Sequence, residues 1–255
     1  MELSEITPLV LTYNEEANIG RCLERLGWAR RVVVIDSGSD DGTLRICAGF
    51  PNVEVIQRAF DSFAGQCNFG LLQVETSWVL SMDADYVVPV DFAEHLALLP
   101  QGAVGYRFPF RYCIYGHPLR ACLYPPRTIL YRKGNAVYQD DGHGHRVVIE
   151  GTVISMDQRI DHDDRKPLSR WLSSQAKYAK LEADKLLATD GHSGWPDRLR
   201  KMIWPAAPAA FLYTLLAKRM ILDGWPGWHY ALQRSYAELL LSLELLDRKL
   251  TKSKP

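Results

Sequence analysis

Arg31-Val32-Val33-Val34-Ile35-Asp36-Ser37-Gly38-Ser39-Asp40-Asp41-Gly42-Thr43 is the stretch on which the fold turns. Its first half is apolar without alternation, which predicts a strand buried on both faces, as in a parallel sheet. Asp36 ends that strand, and a polar, glycine-containing loop follows. A helix is expected from Thr43 to Ala48. Upstream, Pro8 to Tyr13 reads as another apolar strand, followed by Asn14-Glu15-Glu16 and a helix from Ala17 to Leu26. Asn14 is placed to cap that helix, since its side chain can accept from an orphan backbone N–H. Downstream, Val53 to Gln57 is a third strand. Strands alternating with helices at this spacing predict a doubly wound, mostly parallel α/β sheet with helices on both faces. Ligands in such sheets bind beyond the carboxyl ends of the strands.

Further along, Trp78-Val79-Leu80 leads into Ser81-Met82-Asp83-Ala84-Asp85. Carboxylates at i and i+2 on an extended backbone point the same way. Like charges that close call for a neutraliser, and hard divalent cations such as Mg²⁺ or Mn²⁺ take oxygen ligands of this kind. Two Asp at a strand end can equally be turn formers. Thr12–Glu15, Asp36–Asp41 and Asp83–Asp85 all fall at the same sheet edge, and that convergence favours a ligand site.

These motifs, in this order, resemble those of the family 2 glycosyltransferases, the inverting GT-A enzymes. Leu11 to Glu16, Val33 to Thr43 and Leu80 to Asp85 carry the resemblance, and Phe63 to Gly70 is similar to the segment preceding the metal motif. The resemblance implies a nucleotide-diphosphate sugar donor. It places Thr12, Tyr13, Glu15 and Asp36 at the nucleotide's base and ribose. Asp83 then lies near the ribose or diphosphate, and Asp85 ligates Mg²⁺ or Mn²⁺, with Asp83 a second candidate ligand. Where many lipopolysaccharide-type members carry Glu after the second Asp, this chain has Tyr86. Two rival readings are a sugar nucleotidyltransferase and a non-catalytic, membrane-associated nucleotide-sugar-binding protein. The former would show an early glycine-rich, basic loop where Thr12-Tyr13-Asn14-Glu15 stands.

The second half must supply acceptor contacts and a base. Inverting transfer needs a side chain to take the acceptor hydroxyl's proton during in-line attack. The resemblance places that carboxylate before the C-terminal helices, where Tyr138-Gln139-Asp140-Asp141-Gly142-His143-Gly144-His145-Arg146 is the densest polar cluster. Asp141 is favoured as base, with Asp140 the alternative and His143 a neighbour or diphosphate contact. The same residues also read as a hairpin turn between strand-like 128–131 and 146–149. His143, His145, His162 and Asp163 could be arranged as a zinc site, but nothing else in the chain asks for zinc. His162-Asp163-Asp164 precedes a helix starting near Leu168. His162 is a candidate metal or diphosphate contact, and the two Asp suit a helix N-terminus. Arg127, before a strand, either holds phosphate or solvates the start of that strand.

At 255 residues the chain can bury one substantial core. Its formal net charge is zero, so no nucleic-acid partner is expected. The charge is uneven: residues 198–255 hold ten Lys/Arg and four Asp/Glu, leaving a net of −6 on 1–197. The five cysteines form no Cys-x-x-Cys pair and suit a reducing cytosol. No signal peptide is expected at the N-terminus. Ser169 to Ala188 reads as an amphipathic helix and His229 to Leu250 as another, with Gly224 to Trp228 as a turn. Met202 to Ala217 is apolar, carries Trp204 and Tyr213, and is flanked by basic residues. It is too short and proline-broken to span a bilayer. It suits an interfacial element at an anionic leaflet, or else a core hairpin. The expected organisation is a catalytic domain over 1–167 and a helical, membrane-interfacial region over 168–255. The acceptor would be a lipid-linked or lipopolysaccharide-type glycan, met peripherally at the cytoplasmic face of the inner membrane.

Overall fold

The computed structural model describes residues 1–141, 144–188 and 194–252, with backbone alone for 141, 144, 145 and 252. Two compact units emerge. The first holds residues 1–118 and 122–166; the second holds 167–255 together with the short segment 119–121.

The first unit begins β1 (Ile6–Thr12), α1 (Ile19–Glu24), β2 (Val32–Asp36), α2 (Thr43–Cys47), β3 (Val53–Gln57), α3 (Phe63–Gln73), β4 (Trp78–Asp83) and β5 (Tyr86–Val87). It continues with α4 (Phe92–Ala97), β6 (Gly105–Phe108), β7 (Phe110–Ile114), β8 (His117–Pro118) and β9 (Arg127–Arg132). It ends with β10 (Ala136–Asp141), β11 (Gly144–Ile149), β12 (Val153–Ser155) and β13 (Ile160–His162). Seven strands form the main sheet in the order β12-β6-β9-β4-β1-β2-β3. The run β4-β1-β2-β3 is parallel, and β9 is antiparallel to both its neighbours. The expected mostly parallel α/β sheet is therefore observed.

Side chains alternate across the sheet and fill a core on each face. Val10, Val32 and Val34 pack with Ile19, Cys22 and Leu23 of α1. Leu9, Val33 and Ile35 pack with Ala64, Cys67 and Leu71 of α3. Apolar residues on both sides of β1 and β2 thus bury one helix layer each. Cys22, Cys47, Cys67 and Cys113 are buried free thiols, and burial pushes the Cys113 thiol up to about 12.

Asn14 does not cap α1. It adopts a left-handed conformation (φ 55°), which Asn tolerates better than most residues. Its Oδ1 instead accepts from the Asp40 N–H at 2.8 Å, while its own N–H donates to Ser39 Oγ at 2.8 Å. The loops after β1 and β2 are therefore laced together, and α1 begins only at Ile19.

The second unit contains α5 (Leu168–Ala188), α6 (Trp195–Lys201), α7 (Ala206–Leu212) and α8 (Trp225–Lys252). Ala183, Leu186, Ile203, Leu241 and Leu245 form its buried centre. Two expectations are corrected. The apolar run 202–217 is not one element: α7 passes into a π-helical turn, Tyr213–Ala217. Residues Trp225 to Trp228 are not a turn but the first turn of α8. Pro226 is tolerated there because its missing N–H would have no intrahelical partner. No described helix is long and apolar enough to cross a membrane.

Candidate active site

Three of the sequence-predicted residues are strand ends. Thr12, Asp36 and Asp83 close β1, β2 and β4. Thr12 pairs with Asp36, and Leu11 with Asp83, across neighbouring parallel strands. The backbone register alone sets them side by side at one edge. Thr12 is buried, and its Oγ1 has no hydrogen-bond partner. Tyr13 beside it is half exposed.

Asp36 is fully buried. Its Oδ2 accepts from the N–H groups of Gly38 and Ser39 at 3.0 Å each, and its Oδ1 accepts from Ser39 Oγ. The carboxylate therefore organises its own loop. An ionised carboxylate has roughly four acceptor positions, so these three bonds leave capacity over.

Glu15 sits on the β1 loop. Its N–H donates to Thr43 Oγ1 at 2.7 Å. Its two carboxylate oxygens accept from Lys166 Nζ at 2.6 Å and Asn18 Nδ2 at 2.8 Å. Burial pushes this carboxyl up to about 7; Lys166 opposes that shift and the Asp85 charge adds to it.

Asp85 lies two residues past the end of β4. Its Oδ2 is 3.1 Å from Nε2 of His162, while its Oδ1 and His162 Nδ1 are buried without partners. Burial would raise the Asp85 carboxyl, but His162 holds it below its ordinary value. Burial would lower the His162 imidazole, but Asp85 raises it above its ordinary value. Each group thus favours the charged form of the other across the 3.1 Å contact.

A small second sheet, β5-β13-β7-β8, creates this encounter. His162 pairs in register with Tyr86 on one side and Tyr112 on the other. Their rings flank the imidazole at 5.3 and 4.8 Å, and that of Tyr124 stands at 5.0 Å. Tyr86, directly after Asp85, is buried, and its hydroxyl bonds that of Tyr124 at 2.6 Å. Arg127 opens β9 with its guanidinium 4.4 Å from the centre of the Tyr124 ring, donating to the Tyr86 hydroxyl at 3.5 Å. The charge of Asp83 acts on Tyr86, Tyr124, Arg127 and His162.

Sequence reading missed the clamp behind this pair. Asp163 is buried and its N–H donates to the Asp85 carbonyl at 3.0 Å. Its Oδ2 accepts from Arg21 at 2.7 Å and Arg165 at 2.9 Å, and its Oδ1 from the Gly116 N–H at 2.9 Å. Asp164 accepts from Asn18 at 2.9 Å. The two Asp expected at a helix start are therefore engaged by Arg21 of α1 and by Asn18 just before it, together with Gly116, Arg165 and Lys166. The polar run at 162–164 was visible in the sequence, but Arg21 and Asn18 carried no mark distinguishing them from other polar helix residues.

Asp140 and the backbone of Asp141 end β10, which pairs with β11 so that Asp140 faces His145 and Asp141 faces Gly144. Asp140 is exposed, and its Oδ1 accepts from the Ala64 N–H in the first turn of α3 at 3.1 Å. The Asp141 side chain and His143 lie outside the described residues.

The residues present fit a hard divalent cation. Asp85 offers a buried oxygen without a partner, and His162 turns a ring nitrogen toward the same carboxylate. Among the described residues no cluster of three His, Cys, Asp or Glu could hold a metal, so Asp83 does not join them in one. Two protein ligands supplemented by diphosphate oxygens and water is a usual Mg²⁺ arrangement.

Residues 9–112 match the sequence profile of Glycosyl transferase family 2. The chain is 26% identical over 267 residues to the lipopolysaccharide core biosynthesis glycosyltransferase LpsC of Rhizobium meliloti (strain 1021), covering 98% of this chain and 95% of that protein. It is 31% identical over 84 residues, 32% of this chain and 28% of the relative, to an uncharacterized glycosyltransferase of Rickettsia typhi. Among solved structures, it is similar to residues 1–349 of S. aureus TarS in complex with UDP-GlcNAc, with a TM-score of 0.51 and 14% identity over 97% of this chain and 92% of that one. The strand-end motifs of the GT-A-like sheet fall within the segment, residues 9–112, over which the chain is similar to Glycosyl transferase family 2.

Proposed function

We propose that this enzyme moves a sugar, with inversion and metal assistance, from a nucleoside-diphosphate sugar to a hydroxyl of a lipid-linked, lipopolysaccharide-type glycan at the cytoplasmic face of the inner membrane. The observation that carries the reading is the Asp85–His162 pair, 3.1 Å apart, with the second Asp85 oxygen buried and unpartnered at the carboxyl edge of the sheet. Full-length similarity to LpsC supports the acceptor class. The TarS complex, which shares the fold, supports a nucleotide-sugar donor.

In this reading Thr12, Tyr13, Glu15 and Asp36 receive the nucleoside. The partnerless Thr12 hydroxyl and the remaining acceptor capacity of Asp36 are suited to ribose hydroxyls or a base N–H. Arg127, held over Tyr124, and Asp83 border the diphosphate. Asp85 and His162 would hold Mg²⁺ or Mn²⁺, which offsets the charge released onto the leaving diphosphate. The acceptor oxygen bonds to the anomeric carbon from the face opposite the diphosphate as the carbon–oxygen bond to that group breaks. The hydroxyl proton passes to a carboxylate of the β10 end, Asp141 or Asp140, with His143 beside it.

The test is turnover of a panel of nucleotide sugars with Mn²⁺, using a lipopolysaccharide-core acceptor and following the anomeric configuration of the product. Nucleoside diphosphate release coupled to an inverted glycosidic product is expected. Release of a sugar phosphate, or binding without turnover, would overturn the reading.

A further inference from the structure

The second unit leaves large apolar side chains outside its own core in one connected region. Tyr213 and Leu216 of the π-turn, Leu222 of the following 3₁₀ turn (Met220–Asp223), and Trp225, Trp228 and Leu232 of α8 are all exposed, Leu222 at 60% and Trp225 at 54%. Trp225, Trp228 and Leu232 are spaced i, i+3, i+7 and share one side of α8. The region is held in shape. A Cβ at Gly227 would meet the Met220 carbonyl oxygen at 1.8 Å, so glycine lets the 3₁₀ turn lie directly on α8. The rings of Phe211 and Trp228, 6.0 Å apart, tie α7 to the same helix. Patches of this kind mark interaction surfaces.

The charge around the patch selects the occupant. Residues 213–232, which hold the patch, carry Lys218 and Arg219, and Asp223 is their only acid. Asp223 is not offered outward: its carboxylate accepts from the N–H and Nε of Arg120. Lys218 lies over the exposed Tyr213 ring at 5.5 Å, and Arg219 next to it is exposed. Arg200 and Arg234 are turned inward to Glu238, 2.7 and 3.6 Å away. A cationic apolar rim rich in Trp and Tyr matches the headgroup region of an anionic bilayer, where amphipathic aromatic rings settle. A second protein chain would have to supply its own acids to satisfy the same rim.

We infer that the surface formed by the π-turn, the 3₁₀ turn and the start of α8 seats this protein on an anionic lipid leaflet. The inference deepens the reading of a lipid-linked acceptor and rests on it for its purpose, but the surface is argued independently. Each basic residue near the leaflet adds attraction that salt screens, while the apolar side chains add a salt-resistant part.

Co-sedimentation of the full chain with phosphatidylglycerol–phosphatidylcholine vesicles, and with phosphatidylcholine vesicles alone, tests it. The wild type pellets with the anionic vesicles and less so at high salt. Partition falls at least about tenfold in Lys218→Glu/Arg219→Glu and again in Leu222→Ser/Trp225→Ser, while both variants keep the wild-type melting temperature. Wild type remaining in the supernatant at low salt, or pelleting equally with both vesicles, overturns the inference. So does sedimentation velocity showing a wild-type dimer that Leu222→Ser/Trp225→Ser dissociates, since a second copy would then cover the patch. Nucleotide-sugar turnover on a detergent-solubilised acceptor is expected to be unchanged in both variants. A chain that binds vesicles but transfers no sugar would refute the enzymatic reading and leave this surface standing.

Discussion

The Asp163 N–H donates to the carbonyl of Asp85 at 3.0 Å, a backbone bond that, together with the pairing of β13 with β5 and β7, seats His162 against the Asp85 carboxylate. It joins the residues that follow β4 to a strand end some 77 residues later in the chain, the separation of His162 from Asp85. The Asp163 side chain then ties the junction to α1 through Arg21 and to the β7–β8 turn through Gly116. The backbone beside the candidate metal pair is thus tied down by a residue whose buried carboxylate bonds Arg21, Arg165 and the Gly116 N–H.

Asp85→Ala and His162→Ala should each lower metal-dependent turnover by about 10²–10³, the usual cost of losing one electrostatic contact to a developing charge. Calorimetric Mn²⁺ binding in the presence of nucleoside diphosphate should weaken in parallel. Full activity of either variant in excess chelator would end the metal-assisted mechanism.

Asp163→Asn leaves Arg21 and Arg165 with a weaker partner. A fully buried broken pair costs about 3–5 kcal/mol. Arg21 and Arg165 are 24% and 39% exposed, so roughly 2–3 kcal/mol is expected after allowing for solvent. At about 2–4 °C per kcal/mol for a chain of this size, thermal unfolding should shift down by roughly 4–12 °C. A melting curve identical to wild type would remove Asp163 from the clamp.

Glu15 gives a pH signature. Burial raises its carboxyl from the ordinary 4.5 to about 7. The folded state therefore binds this proton more tightly than the unfolded chain. Its stabilising contribution is complete below about pH 4.5 and is lost as pH rises to about 7. In Glu15→Gln that part of the pH dependence should vanish, so chemical denaturation across pH 4.5–7 should show a shallower fall in stability than wild type. Parallel curves for the two proteins would show that Glu15 titrates normally.

Asp36→Ala removes the acceptor that the Gly38 and Ser39 amides share. A charge-assisted bond to the nucleoside is worth about 1.5–3 kcal/mol, so nucleoside diphosphate affinity should drop by about one to two decades. Calorimetry decides, and an unchanged affinity would confine Asp36 to shaping its loop.

Asp141→Asn should cut turnover by about 10²–10⁴ while donor affinity stays nearly constant. Asp140→Asn weakens the bond to the Ala64 N–H as well, so its effect should include a small loss of stability. If Asp140→Asn carries the rate loss and Asp141→Asn does not, the base is Asp140; if neither does, it lies elsewhere.

The sheet was legible because its strands announce themselves locally. Val32–Ile35 and Leu9–Leu11 are apolar on both faces, and each strand ends where polar loop residues begin. Since parallel strands present their carboxyl ends together, Thr12, Asp36, Asp83 and Asp85 could be assigned to one edge from the sequence alone. The helical character of the last ninety residues was equally plain from their 3.6-residue periodicity. What only the tertiary structure decided depends on contacts distant in the chain. The register of β13 between β5 and β7 gives His162 its carboxylate and its tyrosine collar, and no local pattern encodes that pairing. The left-handed Asn14 reads locally as a cap because its partners, Ser39 and Asp40, lie beyond a whole helix and strand. Trp225 to Trp228 looked like a turn because Pro and Gly usually break helices. The fold places the proline in the first turn of α8 and the glycine against the Met220 carbonyl, where their missing N–H and missing Cβ are what the packing requires.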